Sequence, residues 1–129
     1  MRAFFGADQD GALVALIGRG RVLHVEHGDV RADALRLFDA ALGRAKAKPS
    51  DIDEIAVDRG PAGFSAVRRR VAAATGLAAG LGASLAATGS LTPDEAAVLP
   101  TSAFKKGALV APLYDGEPNI TAPKRKTAL

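Results

Sequence analysis

Apolar residues come first in short runs broken by turn residues and then at helical spacing. Ala3 to Ala7, Leu13 to Ile17 and Val22 to Glu26 read as three strands. Asp8-Gln9-Asp10-Gly11 and Gly18-Arg19-Gly20 read as the turns between them, the first carrying the Asp-Gly hairpin signal. Strands joined by turns this tight form an antiparallel meander. The period then changes. Ala34, Leu35, Phe38, Ala41, Leu42 and Ala45 form one stripe of a first helix, with Arg36, Asp39 and Arg44 away from its centre. Lys48-Pro49 is expected to end that helix, because a residue before proline avoids helical geometry. Ser50 to Asp53 is a turn, Glu54 to Val57 a short strand, and Arg59-Gly60-Pro61-Ala62-Gly63 a tight loop. A second helix is expected from about Phe64 to Gly82, a fifth strand from Ser84 to Thr88, and a short helix after a Thr92 cap with Pro93 in its first position.

After Pro100 the periodicity stops. Residues 101–129 read as an extended, proline-containing tail ending in Pro123-Lys124-Arg125-Lys126, lying along the lobe through Leu109, Val110, Leu113 and Tyr114. Residues 1–100 read as one lobe. Its order is three antiparallel strands, then helix, strand, helix, strand. A strand–helix–strand unit requires a parallel pair with a right-handed crossover. The expected fold class is therefore α/β, a single ribonuclease-H-like lobe of the kind that builds the actin-like ATPase superfamily.

The second helix carries the most information. At about 100° per residue, Phe64, Val67, Val71, Ala74, Ala78 and Leu81 share the face that meets the sheet. The opposite face holds Arg69, Ala72, Ala73, Gly76 and Gly80. Water-facing helix surfaces usually carry Lys, Glu or Gln. Glycine inside a helix costs about 1 kcal/mol relative to Ala, so Gly76 and Gly80 need a reason. Glycines four residues apart let a second helix approach closely, so this face is expected to pack on another helix, in the chain or from a partner.

Composition adds limits. The chain has 129 residues, 48% of them hydrophobic, with few aromatics and a net charge of +3. That is one domain's worth of core, and a charge excess that solubility alone explains. The sequence contains no Cys, so it offers no disulfide or thiolate metal site. No apolar run is long enough to span a bilayer, and no signal peptide is legible. A soluble cytoplasmic protein without membrane contact is the expectation.

The segment from Asp51 to Arg68 resembles the signature region of the TsaB family, which usually reads Gly-Arg-Gly-Pro-Gly-Ser-Phe-Thr-Gly-Val-Arg after a short apolar strand. Arg59, Gly60, Pro61, Phe64, Val67 and Arg68 match it, while Asp58, Ala62, Gly63, Ser65 and Ala66 depart. Gly76-Leu77-Ala78 and the strand into Thr88-Gly89-Ser90-Leu91 are similar to that family too, as are the meander and first helix more loosely. The tail from Ala111 to Lys124 resembles the family's closing segment. A deletion of the second lobe, joining first lobe to final tail, is the simplest account of these two matches.

The resemblance implies a non-catalytic scaffold with no cofactor. It would pair with a TsaD-like catalytic subunit through a bundle of first-lobe helices, or homodimerise through much the same surface. A TsaE-like ATPase completes the set, and the product is threonylcarbamoyl-adenosine next to the tRNA anticodon, so tRNA is met only indirectly. The expected contact residues are Arg69, Ala72, Ala73, Gly76 and Gly80 on the second helix, with Leu37, Ala40 and Arg44 beside them on the first. The family's first turn is usually Asp-Thr-Ser-Thr, and in the wider superfamily it supplies donors near nucleotide phosphates. Here it is shorter and carries Asp10, so nucleotide binding is not expected.

Gly60-Pro61-Ala62-Gly63 before a helix is a candidate anion site, but lacks the Lys-Ser/Thr of a P-loop and reads better as a sharp turn. Asp8, Asp39 and Asp58 fall on the elements that carry metal-binding carboxylates in ribonuclease-H-like nucleases; Asp39 lies off the buried stripe, and solvated surface acids are the simpler reading. A small nuclease and a degenerate, self-associating relative remain the alternatives. His24 and His27, three apart on a strand, point to opposite faces. Arg68-Arg69-Arg70 and Lys124-Arg125-Lys126 could touch RNA phosphates, but have no interleaved aromatics for stacking. Surface charge is the simpler role for the tail cluster, and a partner contact is equally in view for the arginine run.

Overall fold

The computed structural model describes residues 1–29, 32–60 and 64–107. Strands β1 (Arg2–Asp8), β2 (Gly11–Gly18) and β3 (Arg21–His27) form the expected meander. Helix α1 (Ala34–Ala45), strand β4 (Glu54–Asp58), helix α2 (Phe64–Leu81), strand β5 (Ser84–Thr88) and helix α3 (Pro93–Ala97) follow. The sheet order is β3-β2-β1-β4-β5, with β1, β4 and β5 mutually parallel. This is the α/β, ribonuclease-H-like arrangement that the pattern predicts.

Strand β1 is central and covered on both faces, which is why its apolar run is continuous rather than alternating. Ala3 and Phe5 join Val14, Leu16, Ile55, Val57 and Leu85 under α1 and α2. Phe4 joins Leu13, Ala15, Ile17, Ala56 and Ala86 on the other face, under α3 and Phe104. The Phe5 and Phe38 rings stack with centroids 5.7 Å apart, fixing α1 over the sheet.

Helix ends follow local chemistry. Asp33 caps α1, its carboxylate accepting from the Leu35 N–H at 2.9 Å. The helix stops at Ala45, before the expected Lys48-Pro49 boundary. Lys46 turns into the left-handed region at φ 54°, and the N–H groups of Lys46 and Ala47 return to Gly43 and Leu42 carbonyls. Pro49 instead opens a single 3-10 turn. At α3, Thr92 and Glu95 form a reciprocal capping box, with Pro93 in the first turn.

Packing of the lobe continues beyond residue 100. Thr101–Ala103 is a 3-10 turn, Phe104 is buried, and Lys105 pairs with Leu85 through two backbone hydrogen bonds of 2.9 and 3.0 Å. The buried Arg2 locks this segment down. It bonds Glu54 at 3.0 Å and the Ala96 carbonyl at 2.9 Å, and its guanidinium lies 4.2 Å from the Phe104 ring centroid. The expected course of the tail through Leu109, Val110, Leu113 and Tyr114, and its basic end, lie outside the described residues.

Candidate protein-interaction surface

Helix α2 sits on the sheet through Val67, Val71, Ala74 and Ala78, all buried. That is the face the spacing predicts. Its outer face carries Arg69, Ala72, Gly76 and Gly80, which are exposed, and the half-buried Ala73. A Cβ added at Gly76 or Gly80 would meet nothing within 4 Å. No neighbouring helix therefore requires these glycines within the described residues. Beside them runs a shallow groove of about 370 Å³, lined by Leu35, Ala72, Ala73, Gly76, Leu77 and Gly80. A second depression at its upper end adds Asp33, Ala34 and Arg69.

The contribution of α1 to this surface differs from the expectation. Leu37, placed beside the α2 face by the sequence, is turned into the core, where its methyl groups close on Gly28. Leu35, assigned to the buried stripe, is 47% exposed and lines the groove instead. The buried residues of α1 begin at Leu37 and continue through Phe38, Ala41 and Leu42, and the helix packs on β2 and β3. Ala40 is half-buried. Arg44 is exposed, but its Nε lies 3.1 Å from Glu26 Oε1 in an ion pair that ties the last turn of α1 to β3. His24 Nε2 sits 2.8 Å from the same carboxylate. That hydrogen bond, helped by the charge of Arg44, holds Glu26 below the usual glutamate range against the opposing effect of burial.

The three acids considered for metal binding are in three different settings. Asp8 is exposed and folds back on its own turn, its Oδ1 accepting from the N–H groups of Asp10 at 2.9 Å and Gly11 at 3.1 Å. The turn's amides are thus already engaged by Asp8. His27 Nδ1 lies 3.5 Å from its other oxygen. Asp39 is exposed on α1. Asp58 is buried, contrary to the reading of a solvated acid. Among the described residues, no three His, Cys, Asp or Glu side chains are grouped to hold a metal ion.

The arginine run also divides. Arg68 and Arg69 are exposed, whereas Arg70 is buried beside Asp58. Its Nε donates to the Asp58 main-chain carbonyl at 2.7 Å. Spacing offered a signal for this, since Arg70 is three residues beyond Val67 and four before Ala74, on the sheet-facing side. Burial raises the Asp58 carboxyl above the usual aspartate range, opposed by the Gly60 N–H and by Arg70. Burial likewise lowers Arg70. The loop weighed as an anion site, Gly60 to Gly63, lies mostly outside the described residues; Gly60 itself takes φ 109°, a value open to glycine.

YeaZ from Pseudomonas aeruginosa superposes with a TM-score of 0.59 at 29% identity, over 68% of this chain and 42% of that one. This chain has the ribonuclease-H-like fold of YeaZ. A second structure from P. aeruginosa, described as an uncharacterized protein with similarity to peptidase YEAZ, gives a TM-score of 0.56 at 29% identity, over 69% of this chain and 44% of that one. The chain thus spans less than half the length of either. No family model matches the sequence, and no curated protein matches it. Among the described residues, no helix is long and apolar enough to cross a membrane.

Proposed function

We propose that the chain is a non-catalytic scaffold subunit in the threonylcarbamoyl-adenosine modification of tRNA, pairing through the outer face of α2 with a TsaD-like catalytic subunit. One observation carries the reading. In a lobe that shares its fold with YeaZ (TsaB), α2 places two glycines and two alanines on an outer face where a Cβ added at Gly76 or Gly80 would meet nothing within 4 Å. A helix surface without long polar side chains gains little from water and many van der Waals contacts from a closely approaching helix. The groove beside it, with Leu35 on its rim, supplies an apolar seat for such a helix. In isolation the same face supports a homodimer. A TsaE-like ATPase is a third partner on this reading, and tRNA is met only through the assembly.

The first turn supports a non-catalytic role. Asp8 occupies the amides that would otherwise face a phosphate, and its carboxylate repels one. The nuclease alternative has no grouped carboxylates among the described residues to rest on.

The test is chemical. Nucleosides from total tRNA of cells lacking the chain should show reduced threonylcarbamoyl-adenosine by mass spectrometry. Wild-type chain should restore the level, and Gly76→Glu should not. Unchanged modification in the deletion strain would remove the proposed role.

A further inference from the structure

The parallel strands β1, β4 and β5 all begin at one end of the sheet, and the β2–β3 turn closes at the same end. The register fixes this, with Arg2 opposite Ile17 and Glu54, Gly18 opposite Arg21, and Glu54 opposite Ser84. Lys105 arrives there through its bridge to Leu85. So does the connection from α1 to β4, where the Asp53 N–H donates to the Met1 carbonyl at 3.0 Å and the Asp53 carbonyl accepts from Ser84 at 2.9 Å. Strands about 4.8 Å apart make this five-stranded rim about 20 Å long. Its segments carry Arg19, Arg21, Lys46, Lys48, Lys105 and Lys106, all exposed. None of these six side chains has a hydrogen bond or ion pair among the described residues. The acids beside them are already engaged. Asp51 accepts the Lys48 main-chain N–H at 2.9 Å, Asp53 lies 3.2 Å from the Met1 amino group, and Glu54 is paired at 3.0 Å with the buried Arg2. The opposite end of the sheet carries both signs, Asp8, Asp10 and Glu95 as well as Arg59 and Arg69.

A second observation sets the basic rim apart. The left-handed backbone region suits Gly, Asn or Asp and is costly for other residues. Among the described residues two that are not glycine adopt it, Arg19 at φ 55° and Lys46 at φ 54°. Both are cations, and both belong to this rim. The hairpin turn at Arg19-Gly20 is better served by Asn-Gly, and the end of α1 by Gly. Long cations thus stand where the backbone favours short residues.

We infer that this rim is a track for the phosphodiester backbone of RNA, recognised by charge and not by base sequence. The choice of RNA rests on the function proposed above; the basic rim does not. Cations spread over about 20 Å suit an extended polyanion, whose released counterions drive the binding. A single small phosphate needs converging donors instead, and the pocket of about 260 Å³ at this end is lined by Asp53 and Glu54 as well as Arg2 and Arg19. A bilayer surface is the other extended anion, but proteins held there use aromatic anchors, and Phe104, the ring at this end, is buried. With no ring to stack on bases, the contact positions RNA without reading it. Such contacts alone give dissociation constants of roughly 1–100 µM at physiological salt. RNA is therefore still met through the assembly, with the rim as a supporting contact.

The test is fluorescence anisotropy of the full chain with an unmodified tRNA transcript, from 50 to 200 mM salt. Five or so neutralised phosphates predict a slope of about −4 for log affinity against log salt. The triple variant Arg19→Asn, Lys46→Asn, Lys105→Gln should bind at least about tenfold more weakly at the lowest salt and flatten the slope by about 2–3. Its two asparagines suit the left-handed backbone, so its melting temperature should not fall. Removing the same charge from the other basic cluster, with Lys124→Gln, Arg125→Gln and Lys126→Gln, should cost less. No binding by the wild type, an unchanged slope in the rim variant, or an equal loss in the Lys124–Lys126 variant would overturn the track. Binding to vesicles of phosphatidylserine and phosphatidylcholine, without binding to tRNA, would reassign the rim to a bilayer surface. Gly76→Glu should bind tRNA as the wild type does, so the rim and the α2 surface fail separately. The proposed function fails on unchanged modification in the deletion strain, a result that leaves the salt slope standing.

Discussion

Gly76 lies in the interior of an 18-residue helix and Gly80 in its last turn; an interior glycine costs about 1 kcal/mol against Ala. Because a Cβ at Gly76 meets nothing within 4 Å, Gly76→Ala should stabilise the free chain by about 1 kcal/mol in chemical denaturation. A loss of stability would mean that the lobe itself covers this face. Partner binding should respond in the opposite direction, since the added methyl group holds an incoming helix away. Single residues also mark where sequence reading stopped. The burial of Asp58 and Arg70 is a matter of one side chain reaching back across a loop, and a run of three arginines reads as surface until the position of each on the helix is counted. Leu35 and Leu37 differ in sequence only by position, yet Leu37 is in the core beside Gly28 and Leu35 lines the groove.

At the scale of elements, strand and helix positions were legible because the apolar period changes cleanly from runs to helical spacing. The end of α1 was not, because the left-handed turn at Lys46 is a choice made by backbone carbonyls seeking donors rather than by a breaker residue. Two contacts between elements are open to test. Arg44 and His24 converge on Glu26, joining α1 to β3. Glu26 titrates below its ordinary value in the folded chain, so its contribution is present above the unfolded value of about 4.3 and disappears as pH falls through the folded one. The stability difference between wild type and Glu26→Gln should therefore be largest at neutral pH, at most about 1 kcal/mol for an ion pair whose arginine is exposed, and vanish in acid. A difference that grows on acidification would contradict the contact. Phe104 joins the last described turn to the sheet under Arg2. Phe104→Ala should cost about 3 kcal/mol by urea unfolding. A cost below about 0.5 kcal/mol, the level of surface substitutions, would show that the lobe closes without it.

For the whole molecule, the α/β topology followed from element order and the handedness of crossovers, and the likeness to YeaZ agrees with it. The candidate surface was only half legible. Small residues at helical spacing exposed the outer face of α2, whereas the groove depends on how α1 lies beside it, which no periodicity encodes. The central claim is that this face is built for another helix. Sedimentation of the chain mixed with a TsaD-like catalytic subunit tests it most directly. Wild type should sediment as a complex, and Gly76→Glu, with an unchanged far-ultraviolet spectrum and melting temperature, should sediment as free components. Wild type that remains monomeric alone and unbound in the mixture, at concentrations of tens of micromolar or above, would contradict the account.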